Sequence, residues 1–80
     1  MDIKQKASRA RALLGDPILR EAIDGIRDDQ VAIFTGRGPA EAVTEARHIV
    51  WALDALEARL KSLVDDEIVF DKRQSKVAPQ

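Results

Sequence analysis

Apolar residues recur along most of this chain at steps of three and four, which is the spacing of one face of an α-helix. Near the N-terminus this face consists of Ile3, Ala7, Ala10 and Leu14. A second apolar face follows and consists of Ile18, Leu19, Ala22, Ile23, Ile26, Ile33 and Phe34. Val31 is the exception in this segment, because it falls on the polar side. No segment alternates apolar and polar residues over a useful length, as a half-buried strand would. The pattern predicts an all-α chain.

The third apolar row is the most regular. It alternates steps of three and four without a break, as a coiled-coil seam does. Its members are Ala46, Ile49, Leu53, Leu56, Leu60 and Leu63. We expect this row to form the contact surface of the longest helix.

Two short breaks separate the rows, and both combine helix-ending with helix-starting residues. At the first, Gly15 suits the left-handed residue after a helix, Asp16 suits an N-cap and Pro17 suits the first helical position. At the second, Gly36 suits the end of a helix and Pro39 the start of the next. The predicted helices span about residues 2–14, 17–34 and 39–66.

A short loop joins the second and third helices, so we expect them to pack as an antiparallel helical hairpin, with the short first helix added to it. Residues 1–70 are predicted to form a single helical domain, followed by an extended or disordered polar tail over 71–80. Two helices bury little surface between them. The first helix, a second copy or a foreign partner must therefore cover the hairpin.

Composition narrows the possible functions. The chain has 80 residues, 13 basic and 14 acidic side chains and no cysteine. This length excludes a two-domain enzyme, and the lack of cysteine excludes a disulfide framework or a thiolate zinc site. The longest apolar run, residues 49–53, is far short of the ~20 residues that span a bilayer. We therefore expect a cytoplasmic protein with no membrane partner.

Charge is distributed unevenly. Four of the first fourteen residues are basic, namely Lys4, Lys6, Arg9 and Arg11, whereas residues 15–36 carry five acidic and two basic side chains. The basic helix suits either pairing with the acidic hairpin or contact with nucleic-acid phosphates. No helix-turn-helix pattern follows it, so nucleic-acid binding is the second choice.

A second stripe on the third helix points to a protein partner. On a helical wheel it lies almost opposite the Leu-rich row and consists of Thr44, His48, Trp51, Ala55, Ala58 and Ser62. Small residues allow another helix to approach closely, and Trp is a frequent interface anchor. We predict that this stripe, called the Trp51 stripe below, contacts a partner. The pattern leaves open whether the first helix covers Trp51 within one molecule.

Catalytic and metal chemistry have weak support. Glu45 and His48 form the Glu-x-x-His half of a di-iron motif, but no further inward carboxylates complete it, so a solvated or interface histidine is the preferred interpretation. The loop over residues 35–39 lacks the spacing of a phosphate-binding loop. The carboxylates at 28–29 and 65–67 have no nucleophile beside them. We predict no enzyme activity, no cofactor and no metal.

Two segments carry a family resemblance: residues 16–24, DPILREAID, and residues 45–56, EARHIVWALDAL. With Phe34 near the end of the second helix and Asp65-Asp66 near the end of the third, residues 16–70 resemble small helical proteins from the virion-assembly gene clusters of tailed bacteriophages and prophages. The resemblance implies a non-enzymatic role in or near the particle, in the bacterial host or the virion. It implies no residue-specific function.

These observations predict a structural or assembly protein that acts by helix-mediated association with protein, as a homo-oligomer or in a larger assembly. The alternative is a nucleic-acid-binding accessory protein that uses the basic first helix.

Overall fold

The computed structural model describes the backbone of residues 1–77 and the side chains of residues 1–74. It contains three α-helices, which are α1 (Ile3–Leu14), α2 (Pro17–Thr35) and α3 (Ala40–Val77). No strand occurs within those residues. The predicted all-α class and the predicted order of helices are confirmed.

Hydrogen bonds at the helix ends stabilise the chain at both breaks. The Asp16 carboxylate accepts from the N–H groups of Ile18 and Leu19 at 2.8 and 3.1 Å, and Pro17 opens α2. Gly36 ends α2 as predicted. Gly15 differs from the prediction, because its φ of -95° is not left-handed. Its N–H instead donates to the Arg11 carbonyl at 3.0 Å, so the helix closes without a positive φ.

The first two helices lie end to end along the third. Both α1 and α2 pack against α3, and they make few contacts with each other. Arg27 of α2 pairs with Asp54, and Arg11 and Lys4 of α1 pair with Glu67 and Asp71. Residues closer to the N-terminus in α1 and α2 thus contact residues closer to the C-terminus in α3, so α3 is antiparallel to both. The molecule is an antiparallel hairpin with one broken arm, measuring 65 × 23 × 19 Å.

The end of α3 lies beyond the predicted one. The helix continues to Val77 rather than ending near residue 66, so residues 71–77 of the predicted extended tail are helical, and residues 78–80 fall outside the described residues. The physical reason is that α1 packs beside α3 as far as the Lys4–Asp71 ion pair, so the helix is already formed where residue 71 is reached. Extending an existing helix next to a packed neighbour costs far less than nucleating a new one.

The residues of α3 that face the other two helices also differ from the predicted row. This seam consists of Val43, Ala46, Val50, Leu53, Glu57, Leu60, Val64 and Glu67, which are all buried or half-buried. Ile49 and Leu56, which were predicted to belong to it, are 39% and 45% exposed. The helix is rotated so that Glu57 and Glu67 reach arginines on the opposite arm.

Little of the chain is fully buried. The buried apolar residues are Ala7, Ala10, Ile23 and Ala46, and Gln30 is the one buried polar residue among those described. The predicted inner face of α1 is confirmed, since Ile3 and Leu14 are half-buried beside its two buried alanines. A hairpin that is two helices thick has no enclosed interior, so the seam is almost the whole core.

Candidate interaction surfaces

The Trp51 stripe lies on the outer side of α3, away from both other helices. All six of its residues are exposed, and Trp51 is 59% exposed. The rings of His48 and Trp51 are 5.7 Å apart at an angle of 42°. The first helix therefore does not cover Trp51, which answers the question that the sequence left open. The role of the stripe as a partner contact stays a prediction.

One edge of the seam is charged. Arg27 donates from Nη1 to Asp54 and from Nη2 to Glu57, both at 2.8 Å, and Arg20 Nη1 lies 3.4 Å from the second oxygen of Glu57. The hydrogen bond to Asp54, with that to Glu57, raises the pKa of Arg27 above its ordinary value, although desolvation opposes this. We call these four residues the charged edge. They link the middle of α2 to the middle of α3.

The other edge of the seam is apolar. It is formed by apolar residues that recur at intervals of seven along α2 and α3, and most of them immediately precede a seam residue of α3 or an arginine of the charged edge. We call it the apolar edge, and its members are Leu19, Ile26 and Ile33 of α2 and Ile49, Leu56, Leu63 and Phe70 of α3. Each remains half-buried or more than a third exposed. Sequence reasoning found most of these residues but assigned them to the interior of the hairpin.

The α2 residues and the α3 residues of the apolar edge lie opposite each other across the hairpin. The contacts of Arg27 with Asp54 and Glu57, and of Arg20 with Glu57, place Ile26 within about one turn of the level of Leu56. Moving one heptad either way places Ile33 near Ile49 and Leu19 near Leu63, since the helices are antiparallel. Three apolar pairs thus follow one another along one side of the molecule.

The basic first helix is partly neutralised within the molecule. Arg11 Nη2 lies 2.7 Å from Glu67, and Lys4 Nζ lies 3.8 Å from Asp71. Lys6 and Arg9 are exposed, and no acidic group of the described side chains lies within ion-pair distance of either. Half of the predicted nucleic-acid contact set is therefore engaged in holding α1 against α3.

Groups suited to metal binding are scattered. Within residues 1–74 no three or more His, Asp or Glu side chains come together in a way that could hold a metal ion. Glu45 and His48 line a shallow open groove with Ala40, Glu41 and Thr44. Over the part of α1 to α3 that is described, no helix is both long and apolar enough to cross a membrane.

No protein-family model, curated protein or solved structure matches this chain. Its function is therefore inferred from its own surfaces, of which the Trp51 stripe and the apolar edge are the most distinctive.

Proposed function

We propose that this chain is a non-enzymatic structural or assembly protein that acts by helix-mediated association with other protein chains. The observation that carries the proposal is the imbalance between its core and its surface. Among the residues whose side chains are described, four apolar residues are buried, whereas twelve large apolar residues are 37–72% exposed. An apolar surface of this extent is typical of a chain that completes its core by contact with another.

The shape of the molecule supports the same conclusion. Its accessible surface is 6240 Å², whereas a compact folded monomer of this mass exposes about 4,800 Å². Its radius of gyration is 18.0 Å, against about 12 Å for a compact domain of the same length. The excess surface of one chain is ~1,400 Å², which is more than the ~800 Å² that each partner contributes to a standard protein interface.

A place in the assembly of a tailed-phage particle is the specific form of the proposal. It is supported by the resemblance carried by residues 16–24 and 45–56 and by an elongated shape suited to association. Purified particles from a host that carries the gene should contain the chain in a fixed ratio to the capsid or tail subunits. Its absence from particles and from their assembly intermediates would contradict this form of the proposal.

Solution mass combined with chemical unfolding tests the general proposal. We expect either a mass above that of one chain or, for a monomer, a broad and weakly cooperative urea transition. A monomer that unfolds cooperatively with a free energy above about 5 kcal/mol would overturn the proposal, because such a chain needs no partner. Trp51→Ala in the same assays tests the Trp51 stripe. In the wild-type chain, the indole of Trp51 reports contact with a partner by a blue shift of its emission.

Nucleic-acid binding has less support. Two of the four basic residues are paired with Glu67 and Asp71, which reduces the field that α1 presents to phosphates. We therefore expect no measurable DNA binding at physiological salt, either by the wild-type chain or by the variant in which Lys4, Lys6, Arg9 and Arg11 are all neutralised. Binding that falls steeply with salt and disappears in this variant would favour the alternative function.

A further inference from the structure

The apolar edge gives the proposed association a specific partner. We propose that a second copy of this chain docks on the apolar edge, so that two hairpins form a four-helix bundle. In this dimer α3 of each copy packs antiparallel against α1 and α2 of the other. The inference rests on the proposed function and names the partner at one surface. The Trp51 stripe stays on the outside of the bundle, where it is available for a different contact.

The spacing of the apolar edge suits helix-on-helix packing. The pairs Ile33 with Ile49, Ile26 with Leu56 and Leu19 with Leu63 are one heptad apart, or about 10.5 Å along the helix axis. This is the repeat with which bundle helices interdigitate their side chains. No charged residue occupies the apolar edge between these pairs. An identical edge on a second copy offers the same repeat in the same register.

The area is sufficient for a stable dimer. From Ile49 to Phe70 the apolar edge is about 32 Å long at the rise of an α-helix, and two helices side by side are about 20 Å wide. One copy therefore covers roughly 650 Å² of the other, which gives a total of about 1,300 Å² and lies within the range of specific interfaces. Each copy thus buries about half of the ~1,400 Å² that it exposes in excess of a compact domain.

Charged residues border the apolar edge and form a rim along it, and these charges favour one orientation of the second copy. Asp66 and Arg73 line a groove with Phe70 and so border the apolar edge on α3. The Arg11–Glu67 and Lys4–Asp71 ion pairs place Arg9 within one turn of the level of Asp66, and Asp2 within one turn of the level of Arg73. A two-fold axis parallel to the helices places Asp66 beside Arg9 of the second copy and Arg73 beside Asp2 of the second copy. Both contacts join opposite charges.

The other two-fold arrangement is less favourable. An axis perpendicular to the helices stacks α3 on α3 of the second copy. This axis crosses the interface at the middle of the apolar edge, near residue 59. Arg59 lies on the same rim as Asp66 and Arg73, one heptad before Asp66, and is exposed. It would face Arg59 of the second copy, and two like charges at close range repel. The rim therefore favours the axis parallel to the helices.

Matched lysine substitutions test the surface. Ile26→Lys places a charge on the apolar edge, and Val31→Lys places the same charge on the charged side of the same helix; the two residues are 42% and 50% exposed. We expect Ile26→Lys to raise the dimer dissociation constant about 30-fold or more, as for an interface hot spot, and Val31→Lys to leave it within about threefold. Circular dichroism should show equal helix content in both. Equal effects of the two variants would overturn the inference.

A charge exchange tests the orientation. Arg9→Asp and Asp66→Arg should each weaken the dimer about fivefold, because each creates two like-charge contacts, and the double variant should restore it. Arg9 and Asp66 are not an ion pair within one copy, so restoration requires contact between copies. A double variant as weak as the sum of the single variants would contradict the proposed axis.

The outcomes separate this inference from the general proposal. A dimer that survives Ile26→Lys but is lost with Trp51→Ala overturns docking on the apolar edge and leaves an association function in place. A monomer with a weakly cooperative transition overturns the second copy as partner and points to a foreign chain. A stable and cooperative monomer overturns both.

Discussion

Gln30 provides a sharp test of the packing between α2 and α3. Its side chain is 7% exposed and lies in the seam. The amide Nε2 donates to the Ile26 carbonyl at 3.1 Å, but Oε1 is buried with no hydrogen-bond partner among the described residues. The Ile26 carbonyl already accepts the helical bond from the Gln30 backbone, so it does not depend on the side chain. Gln30→Met should therefore stabilise the protein.

The size of the effect follows from three contributions. A buried polar atom without a partner costs about 1–3 kcal/mol, and the substitution removes that cost. The lost Nε2 bond offsets about 0.5–1 kcal/mol of the gain. Methionine has a similar length and helix propensity, so neither packing nor local structure should change much. We expect a net stabilisation of about 1–2 kcal/mol.

Urea unfolding followed by circular dichroism measures this effect. For a chain of this size the midpoint should rise by about 1 M. Wild type and variant must be compared at the same chain concentration, since the stability of an oligomer depends on it. Gln74→Met, an exposed glutamine on α3, is the matched control and should change stability by less than about 0.5 kcal/mol. A midpoint that stays unchanged or falls with Gln30→Met would refute the reasoning.

Three further substitutions test local features of the hairpin, each by urea unfolding at fixed chain concentration. Glu57→Gln should lower the midpoint more than Asp54→Asn, because Glu57 is the more buried carboxylate and contacts two arginines; the reverse order would contradict this. Gly25→Ala should stabilise α2 by about 0.5–1 kcal/mol, since nothing lies within 4 Å of the added Cβ. Asp16→Ala should destabilise by about 1 kcal/mol through loss of two cap hydrogen bonds, and an unchanged midpoint would exclude that role.

Two separate surfaces give this small chain a simple way to build an assembly. The apolar edge suits a second copy, and the Trp51 stripe points in another direction on the outer side of α3. A dimer that displays two such stripes has two equivalent sites for a further protein. This combination of a self-contact and an outward contact is what the proposed assembly role requires.

Local features of the fold could be predicted from the sequence. Helix spacing, the Asp16 cap and the breaks at Gly15 and Gly36 are decided by hydrogen bonds and backbone preferences within a few residues. The inner face of α1 could also be predicted, because Ala7 and Ala10 belong to a single narrow row. The six exposed residues of the Trp51 stripe could be placed together because one helix carries them all.

Only the tertiary structure decided which row of α3 is covered and where that helix ends. Two neighbouring rows share Ala46, Leu53 and Leu60, and apolar spacing favours the row with Ile49 and Leu56 because the other row contains the charged Glu57. The arginines of α1 and α2 make that choice by pairing with glutamates on α3. The polar segment after Phe70 is likewise helical because it extends a helix that α1 stabilises as far as Asp71. Contacts between residues distant in the sequence thus turn a predicted core into an exposed apolar edge.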